Sequence, residues 1–463
     1  MSKVLLLSMP YGNSYGKIDI KDLGFWVPPV GLAYLGSFLK QHNVDVRLVD
    51  LMFTSRLKEV FDIIKNESPL WVGLSATTPQ ISAAFKVAKI AKEIDSKIKV
   101  VIGGIHASAL PNETISDPNI DILAYGEGEL TMLELVEGKA LDQIKGIIYK
   151  DGKEIIRNEP RELVCDLDVF PYPLYEHLPI NRYGSDHFGA ILGIISSRGC
   201  PHQCVYCAAN TIHNRRYRTR SIDNVMGEIE KLKSKFSARR FSFYDDTFTL
   251  DSRRTIAICE ELIKRKLNLE WNCITRADRL TKSLLELMKR AGCNTVQIGI
   301  ESGDNEILRL AKRKETVEDS FRAVKWAKEL GMEVVGLFII GLPYETKKTI
   351  RKTIDIAKKL NVDYAQFSIL VPLPGSEVWD MAREGKEVSL INSDWDNFGR
   401  YGKSIIRLKD VTEDELSSYF IKAYREFYLR PSYVLKRLKS TRNLKDINSL
   451  FKRGMALVKM LIK

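Results

Sequence analysis

The chain of 463 residues lacks the features that define several protein classes. No apolar run reaches the roughly 18 residues that a membrane span needs. The short apolar run after Lys3 passes into Pro10 and Gly12, which is typical of a first strand and turn and not of a signal peptide. Only seven residues are cysteines, and residues 1–164 contain none. An odd number of cysteines argues against a disulfide framework, so we expect a cytoplasmic globular protein with reduced thiols.

Basic charge is concentrated at the carboxyl-terminal end. Residues 421–463 contain twelve Lys and Arg but only Glu426 and Asp446 as acids, so most of the net charge of +12 lies there. Residues 451–463 mix apolar side chains with Lys and Arg, as a helix lying on an anionic membrane surface would, although a final packed helix gives the same pattern. Because no nucleic-acid-binding module is recognisable, we do not expect nucleic acid as a partner.

Short β-rich runs alternate with helical patterns in residues 1–145. These runs lie at 4–10, 45–51, 71–77, 99–104 and 121–126. The alternation predicts an α/β, doubly wound (Rossmann-like) domain with a parallel sheet and helices on both faces. Ligands bind beyond the carboxyl ends of such strands. The residues at these positions are Ser75, Thr77, Thr78, Gly103, Gly104 and His106.

A second alternation occupies residues 191–385. Six β-rich runs lie at 194–199, 240–246, 270–276, 295–302, 333–343 and 364–375. They predict a (βα)6 partial TIM barrel, although an open doubly wound sheet gives the same pattern. Residues 146–190 predict a hairpin with its turn at Asp151 and Gly152, followed by an extended linker. Residues 386–463 predict a helical, basic region.

Three of the seven cysteines, Cys200, Cys204 and Cys207, fall within eight residues with the spacing C-x3-C-x2-C. A structural zinc site needs four ligands, usually as two C-x2-C pairs, and no second pair exists. Three thiolates around a 4Fe–4S cluster leave one iron without a protein ligand, and an open position is typical of catalytic metal sites. The spacing therefore favours a catalytic iron–sulfur loop over a zinc or redox-sensing loop.

The segment CPHQCVYC (200–207), with Tyr206 before the last cysteine, resembles the three-cysteine loop of the radical S-adenosylmethionine (SAM) enzymes. The resemblance implies a 4Fe–4S cluster whose open iron is chelated by SAM. It also implies a low-potential electron donor, oxygen sensitivity, and cleavage of SAM to methionine and a 5′-deoxyadenosyl radical. Such a radical can take hydrogen from an unactivated C–H bond, which no side chain can do.

The resemblance also places SAM contacts at later strand ends. Asp245 and Asp246 are expected near the methionine amino group, although capping of the following helix by Asp246, Thr247 or Thr249 would also explain them. Tyr206, Arg276 and Glu301 are expected to position the nucleoside and methionine parts, with Arg276 at the carboxylate and Glu301 at the ribose hydroxyls. Arg276 and Glu301 could equally belong to structural ion pairs.

Two further stretches carry the resemblance in the second half of the chain. Residues 336–343 resemble the strand beneath the adenine, where Gly341 would let the backbone come close, although apolar core explains the other residues. Residues 427–431 (FYLRP) resemble members of one subfamily that includes hopanoid methylases and the anaerobic magnesium-protoporphyrin ester cyclase.

Residues 26–40, 72–78, 103–111 and 125–129 resemble the cobalamin-binding domain of that subfamily. The cofactor contacts that the resemblance implies are Ser75, Thr77, Gly103, Gly104, His106 and Glu127. His106 could instead be a polar loop residue, and Glu127 could favour a helix N-terminus. The classical Asp-x-His-x-x-Gly motif is absent after the first strand, as it usually is in this subfamily. Cobalt would therefore receive no histidine from that loop.

The resemblance implies a cobalamin-dependent radical SAM methyltransferase that acts on an unactivated carbon of a lipid, a tetrapyrrole or another small molecule. One SAM would remethylate cobalt and a second would supply the radical. One alternative is a radical cyclase or oxidoreductase that transfers no methyl group. Another is a protein without catalysis that binds nucleic acid or a membrane surface through its tail. The mass of the product separates the first two hypotheses.

Overall fold

The first sheet contains seven strands. The structure, a computed structural model, describes residues 3–10, 27–54, 56–183 and 192–440. The strands are β1 (Lys3–Ser8), β2 (Asp45–Asp50), β3 (Trp71–Ser75), β4 (Lys99–Gly103), β5 (Ile122–Ala124), β6 (Ile147–Asp151) and β7 (Glu154–Arg157). The first five are parallel in the order β2-β1-β3-β4-β5. This order confirms the predicted doubly wound domain.

Helices cover both faces of this sheet. They are α1 (Val30–Gln41), α2 (Leu57–Glu67), α3 (Ile81–Ile94), α4 (Ile105–Ala109), α5 (Pro111–Ile115) and α6 (Glu129–Val136). Val4 and Leu6 of β1 pack in the core shared with α1 and α6, whereas Leu5 belongs to the core on the α2 and α3 side. The sequence of a parallel strand that is covered on both faces is a continuous apolar run, and β1 contains such a run, VLLL.

The predicted hairpin is part of the first sheet. β6 pairs antiparallel with β5 and with β7, so the hairpin extends the sheet and is not a separate connecting unit. Asp151 pairs with Glu154, which moves the turn to Gly152 and Lys153, one residue later than expected. Gly152 has a φ of +58°, a conformation that glycine adopts without a Cβ penalty.

The second sheet contains six parallel strands. They are β8 (Leu192–Ile194), β11 (Arg240–Phe243), β12 (Glu270–Arg276), β13 (Cys293–Glu301), β14 (Glu333–Ile340) and β15 (Tyr364–Ile369), paired in this sequential order. Sequential order is that of a barrel, since a doubly wound sheet reverses direction at a switch point. The structure therefore confirms the (βα)6 partial barrel. Between β8 and β11 lie the short strands β9 (Ser197–Arg198) and β10 (Arg218–Thr219).

The barrel helices are α7 (Asn210–His213), α8 (Ile222–Phe236), α9 (Ser252–Lys264), α10 (Lys282–Arg290), α11 (Asn305–Leu310), α12 (Val317–Glu329), α13 (Lys347–Lys359) and α14 (Glu377–Glu384). Every barrel helix except α7, whose N-cap is Ala209, begins at a side-chain cap. The cap of α9 is Asp251, whose carboxylate accepts from the backbone N–H groups of Arg253 and Arg254. Capping by Asp246, Thr247 or Thr249 is therefore wrong.

The carboxyl-terminal region is helical only in its second part. The strands β16 (Val388–Leu390) and β17 (Ile406–Leu408) form an antiparallel pair, which corrects the prediction of a helical region from residue 386. They precede α15 (Glu413–Tyr428) and α16 (Pro431–Ser440). None of the helices within the described ranges is long and apolar enough to cross a membrane. Residues 451–463, the predicted surface helix, lie outside the described residues.

Candidate functional site

The three cysteines lie in the loop between β9 and β10, at the carboxyl end of the first barrel strand. Cys204 is buried, whereas Cys200 and Cys207 are partly exposed. A turn in which the N–H of Cys207 donates to the carbonyl of Cys204 (3.1 Å) gathers the last two cysteines. Burial and the neighbouring thiol of Cys204 raise the pKa of Cys207 to about 11. A bound cation must therefore displace the thiol proton and stabilise the thiolate.

The three thiols are chemically suited to an iron–sulfur cluster. Within the described ranges, no three side chains of His, Cys, Asp and Glu converge closely enough to hold one metal ion. The thiolates of an iron–sulfur cluster bind different irons, so they need not meet at one point. Soft sulfur ligands in one loop at the barrel mouth therefore fit a 4Fe–4S cluster.

Tyr206 and Glu301 meet at Arg313, a residue that the sequence did not single out. Nη1 of Arg313 donates to the Tyr206 hydroxyl at 3.0 Å and lies 3.4 Å from Oε1 of Glu301. Nε of Arg313 forms an ion pair with Glu315. Glu301 ends β13 with a φ of +63°, after a register shift that begins at Gly299. Because non-glycine residues take this conformation at an energetic cost, the surrounding contacts must hold Glu301 in place.

Arg276 is already paired by carboxylates. Its Nε lies 2.9 Å from Oδ1 of Asp278, and its Nη2 lies 3.7 Å from Oε2 of Glu315. Although burial opposes the charge, Arg276 lowers the pKa of Asp278 below its ordinary value. Arg276 and Glu301 thus have the ion-pair partners that the structural alternative requires. Their contacts with SAM stay predictions.

The two neighbouring aspartates do different things. Asp245 is buried and accepts from the N–H and hydroxyl of Ser196 (2.6 and 2.5 Å) and from the N–H of Ser197 (3.1 Å). It therefore anchors the chain that leads to the cysteine loop. The side chain of Asp246 reaches the surface. The protein packed around its carboxyl group and the charge of Asp245 nevertheless raise its pKa to about 6. Burial and the charge of Asp246 raise the pKa of the Cys200 thiol.

The turn after β14 contains a buried carboxylate that the sequence analysis missed. Gly341 has a φ of +94°, and its N–H donates to Oε2 of Glu345 at 2.8 Å. The N–H of Leu342 donates to the same oxygen at 3.1 Å, whereas Oε1 of Glu345 is buried without a partner in the described part of the chain. Burial raises the pKa of Glu345 to about 8. Gly341 is thus required by the turn, and its contact with adenine stays a prediction.

Another missed residue lies inside the cysteine motif. His202 stands between Cys200 and Cys204, and its Nε2 is buried with no hydrogen-bond partner among the described residues. Burial and the nearby Arg276 and Arg279 lower its pKa to about 4. The signal was its place in the motif, which we interpreted only through its cysteines and tyrosine.

The predicted cobalamin contacts meet at the carboxyl edge of the first sheet. Ser75 pairs with Gly103 in adjacent parallel strands, and Ser75, Thr77, Gly103 and Gly104 are all partly exposed there. Gly104 has a φ of +97°, and a Cβ there would stand 2.9 Å from the carbonyl of Ala76. The chain's own packing therefore explains Gly104. The hydroxyl of Thr77 donates to Gln80 at 2.8 Å in a capping box. Contacts with a nucleotide tail stay predictions.

His106 is buried and not open to a ligand. It is 1% exposed, its Nδ1 lies 3.2 Å from the Thr78 hydroxyl, and its ring packs edge-on against Trp395 with centroids 4.9 Å apart. The indole of Trp395 donates to Glu113 at 2.9 Å, so the carboxyl-terminal region covers this edge. Burial lowers the pKa of His106 to about 4. Contact with a corrin ring would require Trp395 to move.

Glu127 is held by two arginines and by the N–H of Val164, which donates to its Oε2 at 3.4 Å. Its Oε1 accepts from Nη1 of Arg198 (2.8 Å) and Nη2 of Arg218 (2.8 Å), and its Oε2 accepts from Nη1 of Arg218 (2.9 Å). Against the cost of burial, the two arginines lower its pKa to about 2. Glu129 lies in the first turn of α6 and binds Nη2 of Arg198 at 2.7 Å. The structure gives Glu127 these partners, and a cofactor contact stays a prediction.

Comparison with known proteins identifies the family. The model of the radical SAM superfamily matches residues 194–357, and the model of the B12-binding domain matches residues 16–136. The chain is 36% identical over 441 residues to an uncharacterised methyltransferase of Pyrococcus horikoshii, and the alignment covers 94% of each chain. The chain belongs to the radical SAM superfamily and carries a B12-binding domain.

This radical SAM enzyme has further relatives. It is 31% identical over 436 residues to the anaerobic magnesium-protoporphyrin IX monomethyl ester cyclase of Rubrivivax gelatinosus, with 89% of this chain and 75% of the relative covered. Its fold matches the radical SAM methyltransferase TsrM from Kitasatospora setae, solved with cobalamin and a [4Fe-4S] cluster bound. The TM-score is 0.71 with 93% of this chain and 90% of that chain covered, and the identity of 18% supports a common fold.

Family membership implies a 4Fe–4S cluster, SAM and cobalamin as the cofactors of this radical SAM enzyme. Cys200, Cys204 and Cys207 fit the cluster by the chemistry of their sulfur atoms. The partly exposed sheet edge at Ser75 and Gly103 fits a ligand at the usual place in such a domain.

Proposed function

We propose that this radical SAM enzyme is a cobalamin-dependent methyltransferase that acts on an unactivated carbon of a small molecule such as a lipid or tetrapyrrole. The observation that carries the proposal is the contact between the cysteine loop and the first domain. Helix α7 of that loop packs on α4, which begins directly after Gly103 and Gly104. The name of the Pyrococcus relative supports the same reaction.

We assign residues 1–145 to cobalamin, together with the hairpin of residues 147–157 that extends the same sheet. We assign residues 158–190 to the connection, 191–385 to the cluster and SAM, and 386–463 to the covering region. When bound, the cluster and SAM supply a 5′-deoxyadenosyl radical, and cobalamin supplies the methyl group. The protein's own residues orient SAM and exclude water from the site. Tyr206 and Glu301 are held by Arg313 beside the cysteines, where a carboxylate can accept ribose hydroxyls.

Arg276 supplies the positive charge that suits a methionine carboxylate, provided that SAM replaces part of its pairing with Asp278. Asp246, on the exposed side of the site, supplies an acceptor for the methionine amino group. This assignment makes Asp246, and not Asp245, the aspartate in contact with SAM, because Asp245 is saturated by Ser196 and Ser197.

The first experiment is anaerobic reconstitution with iron, sulfide and hydroxocobalamin, followed by gel filtration with absorption and electron paramagnetic resonance spectra. We expect both the cluster and one corrinoid to co-elute with the protein. Cys204→Ala should lose only the cluster, while the exposed Cys165 gives a matched control, since Cys165→Ala should keep both. A wild-type protein that never retains corrinoid would refute the methyltransferase proposal.

A radical cyclase is the second candidate, favoured by the identity to the Rubrivivax cyclase over most of both chains. SAM with an isotopically labelled methyl group separates the two reactions. A methyltransferase moves the label onto the reduced corrinoid, whereas an enzyme that only cleaves SAM leaves the label in methionine. The label found solely in methionine would make cyclisation the better hypothesis.

We further propose a low-potential electron donor, a cytoplasmic location and contact of residues 451–463 with an anionic membrane surface. The cluster predicts the donor, and the mixed apolar and basic sequence of residues 451–463 suggests the membrane contact. Deleting residues 441–463 should abolish binding to phosphatidylglycerol vesicles and leave SAM cleavage intact. Vesicle binding that survives the deletion would remove the membrane proposal.

A further inference from the structure

The cysteine loop begins and ends at one place. β9 and β10 pair antiparallel, with Arg198 directly opposite Arg218. The chain between them, residues 199–217, contains all three cysteines of the motif and α7. Gly199 starts this excursion with a φ of +86°, and a Cβ there would collide with the carbonyl of Arg216. The two strands are therefore the base of the loop, and whatever holds them orients the cysteines.

Both arginines at this base bind a single carboxylate of the first domain. Glu127 accepts hydrogen bonds from Arg198 and from Arg218, and Glu129 accepts one from Nη2 of Arg198. The four side chains are only 7 to 12% exposed, so water screens these contacts weakly. Nη1 of Arg218 also donates to the carbonyl of Val164 at 2.5 Å. The base is thus tied to the segment between β5 and α6 and to the chain that leaves the first sheet.

A second set of contacts holds α7, in the second half of the loop, and the Nδ1 of its His213 also lies 3.1 Å from Nη2 of Arg218 at the base. α7 packs on α4 of the first domain, and the Cα of Gly375 approaches Thr211 so closely that a Cβ would collide with its hydroxyl. The loop is therefore fixed at its base by charge and at α7 by packing. The cysteines lie between these two contacts.

A gain in folding stability is a poor explanation for this buried group of ion pairs. Buried ion pairs often contribute nothing net to the free energy of folding, because desolvation offsets the attraction, and apolar residues of similar volume can replace them without loss. Their directional, bidentate hydrogen bonds fix geometry instead. Glu127 joins two guanidinium groups through three hydrogen bonds of 2.8 to 2.9 Å, which fixes how the loop base lies on the first domain.

We propose that Glu127 is a positioning residue that clamps both ends of the three-cysteine loop to the first domain and so fixes the cluster site relative to the cobalamin site. Glu129 supports the same clamp through Arg198. The relation between the cluster site and the cobalamin site rests on the proposed function. The clamp itself is present in the protein without cofactors and can be tested alone.

The test compares Glu127→Gln with Glu134→Gln as a matched control. Glu134 pairs with Arg161 and Lys139, which lie outside residues 199–217, so its variant removes a carboxylate–arginine pair from the same domain. Amide hydrogen exchange of the cofactor-free protein should rise about tenfold over residues 199–217 in Glu127→Gln, and only there, since one charge-assisted clamp is lost. Unchanged exchange in this segment, or an equal rise across the whole barrel, would overturn the clamp.

A second measurement tests the coupling to cobalamin. Hydroxocobalamin added to the wild-type protein should slow exchange over residues 199–217, and this protection should vanish in Glu127→Gln when both proteins are saturated with corrinoid. Loss of corrinoid binding in Glu127→Gln would instead show that Glu127 contacts the cofactor, and would overturn the coupling. Equal protection in both proteins would overturn the coupling. If the wild-type protein binds no corrinoid, the proposed function fails, whereas the comparison without cofactor still decides whether Glu127 clamps the loop.

Discussion

The hydroxyl of Tyr206 accepts a hydrogen bond of 3.0 Å from Nη1 of Arg313, and this atom also lies 3.4 Å from Glu301. Arg313 is buried, and Nη2 donates in addition to the carbonyl of Gly299. One guanidinium thus joins the cysteine motif to the strained end of β13. A planar group with five N–H donors can do this, and a lysine ammonium cannot.

Arg313→Lys should therefore impair SAM cleavage more than cluster binding. The substitution keeps the charge but breaks the fork, and a lost hydrogen bond to a charged group is worth about 1.5–3 kcal/mol, so we expect the rate to fall about tenfold or more. The measurement is 5′-deoxyadenosine formed anaerobically with a chemical reductant, together with iron and sulfide content. Arg309→Lys, at an exposed pair with Glu306, is the control and should change neither. A wild-type cleavage rate in Arg313→Lys would contradict the assigned role.

His106 should not ligate cobalt. Its ring is neutral, buried and covered by Trp395, with a pKa of about 4. We expect the electron paramagnetic resonance spectrum of bound cobalamin reduced by one electron to be the same in His106→Ala as in the wild type. Nitrogen superhyperfine splitting that disappears in His106→Ala would show that Trp395 swings away when cobalamin binds.

Local patterns made the fold and the cysteine site predictable. The six strands and the spacing of Cys200, Cys204 and Cys207 can be read within short windows, because strand periodicity and loop motifs are local. The role of Arg313 could not be predicted, because no motif marks it in the sequence and only the tertiary fold brings it to Tyr206. Trp395 was missed for the same reason, since its contact with His106 joins residues far apart in sequence.

The last barrel strand shows a similar limit. β15 is an edge strand, and its outer hydrogen-bonding groups are paired by tyrosines of α15 in place of another strand. The hydroxyl of Tyr428 accepts from the N–H of Ala365 (3.1 Å) and donates to its carbonyl (2.9 Å). The hydroxyl of Tyr424 likewise accepts from the N–H of Phe367 (3.2 Å) and donates to its carbonyl (3.0 Å). The aromatic residues of α15 were visible in the sequence, but their partner strand was not.

Removing these hydroxyls should destabilise the protein and expose the edge. Tyr424→Phe and Tyr428→Phe should each lower the free energy of unfolding by about 1–3 kcal/mol, since each leaves a backbone donor and acceptor without a partner. The double variant should also aggregate more readily, because an unpaired strand edge invites pairing between chains. Urea unfolding and light scattering measure the two effects. Tyr419→Phe, on the same helix but not bonded to β15, should behave as wild type, and equal losses in all three single variants would refute the explanation.

Glu345 should make stability depend on pH. Burial raises its pKa in the folded protein to about 8, from an ordinary value of 4.5, so the folded state holds a proton that the unfolded state releases between these values. The stabilising contribution is complete below about pH 4.5, falls as the pH rises, and is lost above about pH 8. The full difference corresponds to at most about 5 kcal/mol.

Glu345→Gln removes this titration and keeps an oxygen that can accept from Gly341 and Leu342. We therefore expect the variant to lose less stability than the wild type between pH 5 and pH 8, measured as urea midpoints of cluster-free protein under reducing conditions. The exposed Glu384 provides the matched substitution Glu384→Gln, whose curve should run parallel to that of the wild type. If Glu345→Gln gave a parallel curve as well, the carboxyl of Glu345 would have to be ionised in the folded protein, stabilised by the two N–H groups of the turn.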